Sequence, residues 1–209
     1  MSKVETVKII LLGEAGTGKS NLINSYFNQP FEEDSLTTIT PQFSLKVLTF
    51  GKKKYELTIW DTAGQEKYRS LNQIFIKDSQ ICILVYDITN KKSFTSLDYW
   101  VGKVHEIVGK DCLLGVVGNK SDLYLQEKVS EQEGKSYAKK IHATFAQTSA
   151  KSDRESFIKF VNDLAFQYHE NIGLKGWEII DNHRKSFRVA PPAKKNEDQN
   201  VQKKKKKCF

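Results

Sequence analysis

The residues best equipped for chemistry begin where an apolar run stops. Gly13-Glu14-Ala15-Gly16-Thr17-Gly18-Lys19-Ser20 follows the run Val7 to Leu12 and precedes helix-forming residues. A glycine, four residues and Gly-Lys-Ser thus stand between a strand and a helix, the spacing of a phosphate-binding loop. Glycines there let backbone N–H groups turn inward around an anion, and the helix N-terminus adds positive potential. Lys19 can neutralise the outer phosphates, and the Ser20 hydroxyl can ligate Mg²⁺. The chemistry predicted is nucleoside triphosphate binding, with Gly13, Glu14, Ala15, Gly16, Thr17, Gly18, Lys19, Ser20 and the adjoining Asn21 around the phosphates.

Such a loop does not choose a base. Asn119-Lys120-Ser121-Asp122 follows a second buried run. A carboxylate at Asp122 can accept both hydrogens that guanine presents, on its ring N–H and exocyclic amine, a pattern adenine lacks.

The elements that must position these residues are readable from hydrophobic periodicity. Val7 to Leu12, Ile81 to Tyr86 and Leu113 to Val117 are short apolar runs, the last two the pattern of central parallel strands covered on both faces. Phe43, Leu45 and Val47 alternate, as do Tyr55, Leu57 and Ile59, on either side of Gly51-Lys52-Lys53-Lys54, which predicts an antiparallel hairpin with a solvated turn. Leu97, Val101, Val104 and Val108 recur at helical spacing, and Phe157, Val161, Leu164 and Tyr168 form the buried stripe of a last helix. Ser130 with Glu133, and Ser152 with Glu155, have the spacing of capping boxes and predict two helix starts. The expected fold class is α/β: a mostly parallel six-stranded sheet with one antiparallel edge strand, flanked by about five helices.

Composition narrows the setting. A chain of 209 residues supports one domain with a sizeable core. Residues 181 to 209 hold ten Lys or Arg against three Asp or Glu, so most of the formal +8 sits in the tail. Three cysteines make no disulfide framework; Cys82 and Cys112, inside apolar runs, are expected as core packing in a reducing compartment. No apolar run reaches the roughly 18 residues of a membrane span, and the first residues carry no signal-peptide core, so a cytoplasmic protein is expected. The four histidines have no ligand spacing, and a zinc site is not expected.

From about residue 7 to 170 the sequence resembles a Rab-type small GTPase of the Ras superfamily. The phosphate loop, Trp60-Asp61-Thr62-Ala63-Gly64-Gln65-Glu66, Asn119-Lys120-Ser121-Asp122 and Thr148-Ser149-Ala150-Lys151 occur in that family's order and approximate spacing. Tyr68-Arg69-Ser70-Leu71 and Leu84-Val85-Tyr86-Asp87-Ile88-Thr89 resemble Rab versions more than other branches.

The resemblance implies a GTP/GDP switch with Mg²⁺, held by Ser20, Thr38 and, through water, Asp61. It implies that Gly64 offers its N–H to the γ-phosphate and that Gln65 is the catalytic residue, orienting the attacking water. It places Phe31 against the base edge, has Asn119 and Lys120 brace the pocket, and gives Ser149, Ala150 and Lys151 to the guanine contact. An exchange factor, a GTPase-activating protein and effectors reading residues 34–43 and 63–73 are the implied protein partners, with vesicle trafficking as the process and a monomer as the expected state. A GTP-binding scaffold with little hydrolysis, and a Ras-like signalling GTPase, are the alternatives.

Departures from that pattern carry expectations of their own. Ala15 stands where relatives often have Gly or Ser, close to where an activator's arginine must pass, and predicts slow intrinsic turnover with measurable stimulation. Thr40-Pro41-Gln42-Phe43 and Ile74-Phe75-Ile76-Lys77-Asp78 replace the usual Rab segments. The domain is expected over residues 1–172 and a flexible basic tail over 173–209. That tail ends Lys207-Cys208-Phe209 instead of in paired cysteines. Cys208 is the expected lipidation site, one chain beside five lysines binding the cytosolic face of an internal membrane. Nucleic acid is not an expected partner, since no aromatic or basic face elsewhere supports it.

Overall fold

The computed structural model describes residues 4–33, 38, 42–62 and 74–175, with side chains as far as 172. The tail, Cys208, Gly64, Gln65 and most of residues 34–41 and 63–73 lie outside the described residues.

β1 (Val4–Leu12) is apolar at every position from Ile9 to Leu12, and all four are fully buried. Continuous burial is what a central parallel strand requires. It pairs in parallel with β3 (Lys53–Asp61) on one side and β4 (Ile81–Asp87) on the other. β4 continues to β5 (Leu113–Asn119), and β5 to β6 (Thr144–Gln147), all parallel. β2 (Gln42–Phe50) closes the other edge antiparallel to β3, giving the order β2-β3-β1-β4-β5-β6. The expected six strands and single antiparallel edge are both present.

The hairpin turn is tighter than the four residues anticipated. Phe50 pairs with Lys53, so only Gly51 and Lys52 span it, and Gly51 takes φ 58°, a left-handed conformation that glycine adopts without a Cβ penalty.

Helices cover both faces. α1 (Lys19–Tyr26) and α5 (Arg154–Lys175) enclose one core with Leu22, Tyr26, Phe157, Phe160 and Leu164 against Ile9, Leu57 and Ile83. On the other face, α3 (Leu97–Val108) and α4 (Glu131–Lys140) cover Ile10, Leu12, Leu84 and Val116 with Leu97, Trp100, Val104 and Ala138. A short α2 (Lys91–Thr95), not anticipated, precedes α3 and is capped by the Asn90 side chain, which accepts from the N–H groups of Lys92 and Ser93.

Of the two expected capping boxes, the one at Ser130 and Glu133 forms in full. The one at Ser152 and Glu155 does not. Asp153 takes the cap: its Oδ1 accepts from Ser156 N–H at 3.2 Å and its Oδ2 from the Ser156 hydroxyl at 2.6 Å. The Ser152 N–H is instead turned back to the Ser149 hydroxyl at 3.0 Å. Aspartate caps as well as serine, and the bond from Asp153 N–H to the Ser149 carbonyl at 2.8 Å sets the helix start one residue later.

Candidate nucleotide-binding site

Three loops leave the C-terminal ends of β1, β5 and β6 side by side, which is where open parallel sheets place their ligands. The first is the phosphate loop. Gly16 and Gly18 take φ 75° and 89°, and Gly13 takes φ 149° with its α-carbon hard against β4: a Cβ there would stand 2.1 Å from the Val85 carbonyl oxygen. A Cβ on Gly18 would stand 2.4 Å from Asn119 Nδ2. Strand and neighbouring loop pass too close for side chains at Gly13 and Gly18, whereas Gly16 is set by its left-handed backbone alone.

Lys19 is 5% exposed, and its ammonium donates to the Gly13 and Glu14 carbonyls at 3.0 and 2.9 Å. Burial pulls its pKa down to about 8, against the opposing charges of Asp61 and Glu14. A lysine ammonium buried among the backbone carbonyls of a glycine-rich loop could neutralise an anion seated there.

At the start of α1 the Ser20 hydroxyl donates to Asp61 Oδ2 at 2.7 Å and lies 3.0 Å from Thr38 Oγ1, which is itself 3.2 Å from the same carboxylate oxygen. Asp61 Oδ1 is buried with no hydrogen-bond partner among the described residues. Burial raises the Asp61 pKa, opposed by the Ser20 hydrogen bond and the Lys19 charge. Two hydroxyls and a desolvated carboxylate with an unused oxygen are the all-oxygen donor set that Mg²⁺ takes, with water and phosphate completing it.

The loops that follow β5 and β6 are joined to this one. The Asn119 amide donates to the Thr17 carbonyl at 2.8 Å and its oxygen accepts from Ala150 N–H at 3.2 Å. Ser149, fully buried, donates its hydroxyl to Asp122 Oδ1 at 2.5 Å. Lys120, at φ 68°, sets its ammonium 2.7 Å from Asp87 at the end of β4. Lys151 pairs with Glu33 at 2.9 Å and sits 5.7 Å from the Phe31 ring centroid, so the far wall is a ring and an ammonium brought together from opposite ends of the domain.

Asn21 has another task. Its amide and carbonyl both bond the Glu32 backbone at 2.9 Å, fastening the segment that carries Phe31. Asp87 escaped the sequence reading as a site residue; a carboxylate directly after the fully buried run Ile81 to Tyr86 was the available signal. The aromatic row Phe43, Trp60 and Phe75 also escaped it. Phe43 lies 4.9 Å from Trp60, and Trp60 5.5 Å from Phe75. Phe43, Leu45 and Val47 are about half exposed, so the alternating face of β2 is open to solvent.

The profile of the Ras family matches residues 8–165, from within β1 to about the middle of α5. The chain belongs to the Ras family. Within it the relatives are Rab-type small GTPases. The human Ras-related protein Rab-21 is 42% identical over 147 residues, covering 70% of this chain and 65% of its own. Rab-11B of Dictyostelium discoideum is 39% identical over 162 residues, 78% of this chain and 74% of that one. RABC2a of Arabidopsis thaliana is 40% identical over 166 residues, 78% of each chain. The alignment thus spans just under two thirds of the Rab-21 relatives. Ras-superfamily GTPases bind guanine nucleotide and Mg²⁺ generally.

Proposed function

We propose that the chain binds GTP with Mg²⁺, hydrolyses it slowly, and uses the difference between its GTP and GDP states to regulate intracellular vesicle trafficking. The observation that carries this reading is the convergence of Ser20, Thr38 and Asp61 within 3.2 Å of one another, beside the buried Lys19. Thr38 comes from the segment between α1 and β2, far in sequence from the loop it meets. A hydroxyl held there only while the γ-phosphate completes the site makes that segment a reporter of nucleotide state.

In this reading the loop N–H groups and Lys19 hold the phosphates, Asp122 selects guanine, and Ser149, Ala150 and Lys151 close over the base. Ser20, Thr38 and Asp61 hold the metal, which when bound supplies charge neutralisation of the phosphate oxygens. Gly64 offers its N–H to the γ-phosphate and Gln65 orients the attacking water. Exchange factor, activating protein and effectors meet residues 34–43 and 63–73, and the row of Phe43, Trp60 and Phe75, in which Phe43 is about half exposed, borders both segments in sequence. The basic tail after the domain, with a lipid on Cys208, holds the protein on the cytosolic face of an internal membrane.

Single-turnover GTP hydrolysis by the protein and by Gln65→Leu, with and without a Rab-directed activating protein, tests the switch. GTP and GDP displace a fluorescent guanine nucleotide where ATP does not, and Gln65→Leu lowers the hydrolysis rate about tenfold or more. Equal rates for both proteins mark a scaffold that does not switch.

A further inference from the structure

Cys82 and Cys112 are 30 positions apart, and the fold sets one against the other. Cys82 pairs in register with Leu114, and Cys112, two residues earlier and just ahead of β5, packs against the same face of the sheet. The Cys112 thiol points at the Cys82 sulfur with the two Sγ atoms 3.3 Å apart, and its further contact is the Leu113 carbonyl at 3.8 Å. Both thiols are free; Cys82 is fully buried and Cys112 only partly. They lie at the N-terminal ends of β4 and β5. The nucleotide loops leave the opposite ends, six residues on from Leu113 to Asn119, or about 20 Å. Nothing in nucleotide binding uses this pair.

We propose that Cys82 and Cys112 are an oxidative modification site, at which hydrogen peroxide converts the dithiol to a disulfide that joins β4 to the start of β5. The partly exposed Cys112 meets the oxidant. Its thiolate attacks one peroxide oxygen, the O–O bond breaks, and the sulfur loses two electrons to become a sulfenic acid, while the departing hydroxide takes the former thiol proton as water. Cys82 then attacks that sulfur: the S–S bond forms, the S–O bond breaks, and the leaving hydroxide takes the Cys82 proton as a second water.

The two thiols divide these roles by position. Burial pushes the Cys82 thiol well above its usual range, with Cys112 adding to the shift and Lys8 opposing it, so Cys82 resolves an oxidised neighbour and does not meet peroxide first. Closing from 3.3 Å to the roughly 2.05 Å of a disulfide needs about 1.2 Å of movement. Cys82 is held by strands on both sides, whereas Cys112 precedes β5 in the turn that follows α3 and can supply that movement. In a reducing compartment such a bond is transient and reports oxidant, the usual employment of disulfides there.

The test treats the reduced full-length protein with graded hydrogen peroxide, alkylates it, and maps peptides by mass spectrometry. A Cys82–Cys112 linked peptide pair is expected, reversed by dithiothreitol and absent from Cys112→Ser, a variant that changes one partly exposed atom. The linked form melts about 5 °C or more above the reduced form, because a loop of 30 residues is closed in the unfolded chain. Sulfinic acid at Cys112 with Cys82 unpaired overturns the proposal, as do linkage to Cys208, both thiols still reduced at every dose, or a linked form with an unchanged or lower Tm.

Discussion

Asn119 donates its side-chain amide to the Thr17 carbonyl at 2.8 Å, fastening the segment after β5 to the glycine loop after β1 across 102 positions. Its other end accepts from Ala150, so one 1%-exposed side chain ties three loops together. Asn119→Ala leaves a buried carbonyl and a buried N–H without partners, at about 1–3 kcal/mol each. The expected outcome is a GDP affinity about 100-fold weaker and a Tm several degrees lower. Asn119→Asp keeps the acceptor and loses the donor, and falls between. Fluorescent-GDP titrations and thermal melts of the three proteins check this, and an unweakened Asn119→Ala contradicts it.

Lys19 gives nucleotide binding a pH dependence. Burial lowers its pKa to about 8 in the nucleotide-free protein, against 10.5 for an unperturbed lysine. Between these values the unfolded chain holds the extra proton, so stability of the nucleotide-free protein rises with pH across that window. Below pH 8 both states are charged and the cost of burying the ammonium is present in full. Bound phosphate favours the charged form, so binding takes up a proton above pH 8. Affinity for GDP is flat from pH 7 to 8 and then falls by up to about tenfold per unit. Calorimetry at pH 9 in buffers of different ionisation enthalpy reads the proton directly, and no uptake there would falsify the assignment.

The loop glycines separate by what surrounds them. Gly13→Ala drives a Cβ to 2.1 Å from the Val85 carbonyl in a central strand that has no room to give. A loss above about 3 kcal/mol is expected, enough to leave little folded protein at 37 °C. Gly16→Ala meets nothing within 4 Å and bears only the strain of φ 75°, about 1 kcal/mol. Thermal melts of the two variants in excess GDP give the order, and equal Tm values for the pair refute it.

The glycine loop and the Asn119 to Asp122 motif stand out in the sequence because their signals are local: glycines at fixed spacing before Lys19-Ser20, and a polar Asn-Lys-Ser-Asp run opening at the end of a buried strand. Contacts set by register do not. That Asp87 meets Lys120, that Asn119 meets Thr17 and that Cys82 meets Cys112 depends on which strands are neighbours and in what alignment. Alternation in Phe43, Leu45 and Val47 reads the same whether a helix covers that face or none does, and here the face is open. At the start of α5 two cap signals, Ser152 and Asp153, compete one residue apart, and a tertiary bond to Ser149 decides between them. Asn21 adjoins Ser20 in sequence, yet helix geometry turns it toward Glu32.

Ser149 holds Asp122 by a 2.5 Å hydrogen bond to one carboxylate oxygen, which fixes the group proposed to read the base. Guanine offers that carboxylate two donors. Asparagine in its place offers one acceptor and one donor, the complement of xanthine, which carries a carbonyl where guanine carries its amine. Asp122→Asn is therefore expected to bind GTP about 100-fold more weakly, from the loss of a charge-assisted hydrogen bond and a newly mismatched donor, and to gain affinity for xanthosine triphosphate. Ser149→Ala leaves the carboxylate in place but unaimed, with about a tenfold loss for GTP and no gain for xanthosine triphosphate. Competition of the two nucleotides against fluorescent GDP, run on both variants, separates reading from aiming. Equal nucleotide preferences in Asp122→Asn and the unsubstituted protein would remove Asp122 from the base site.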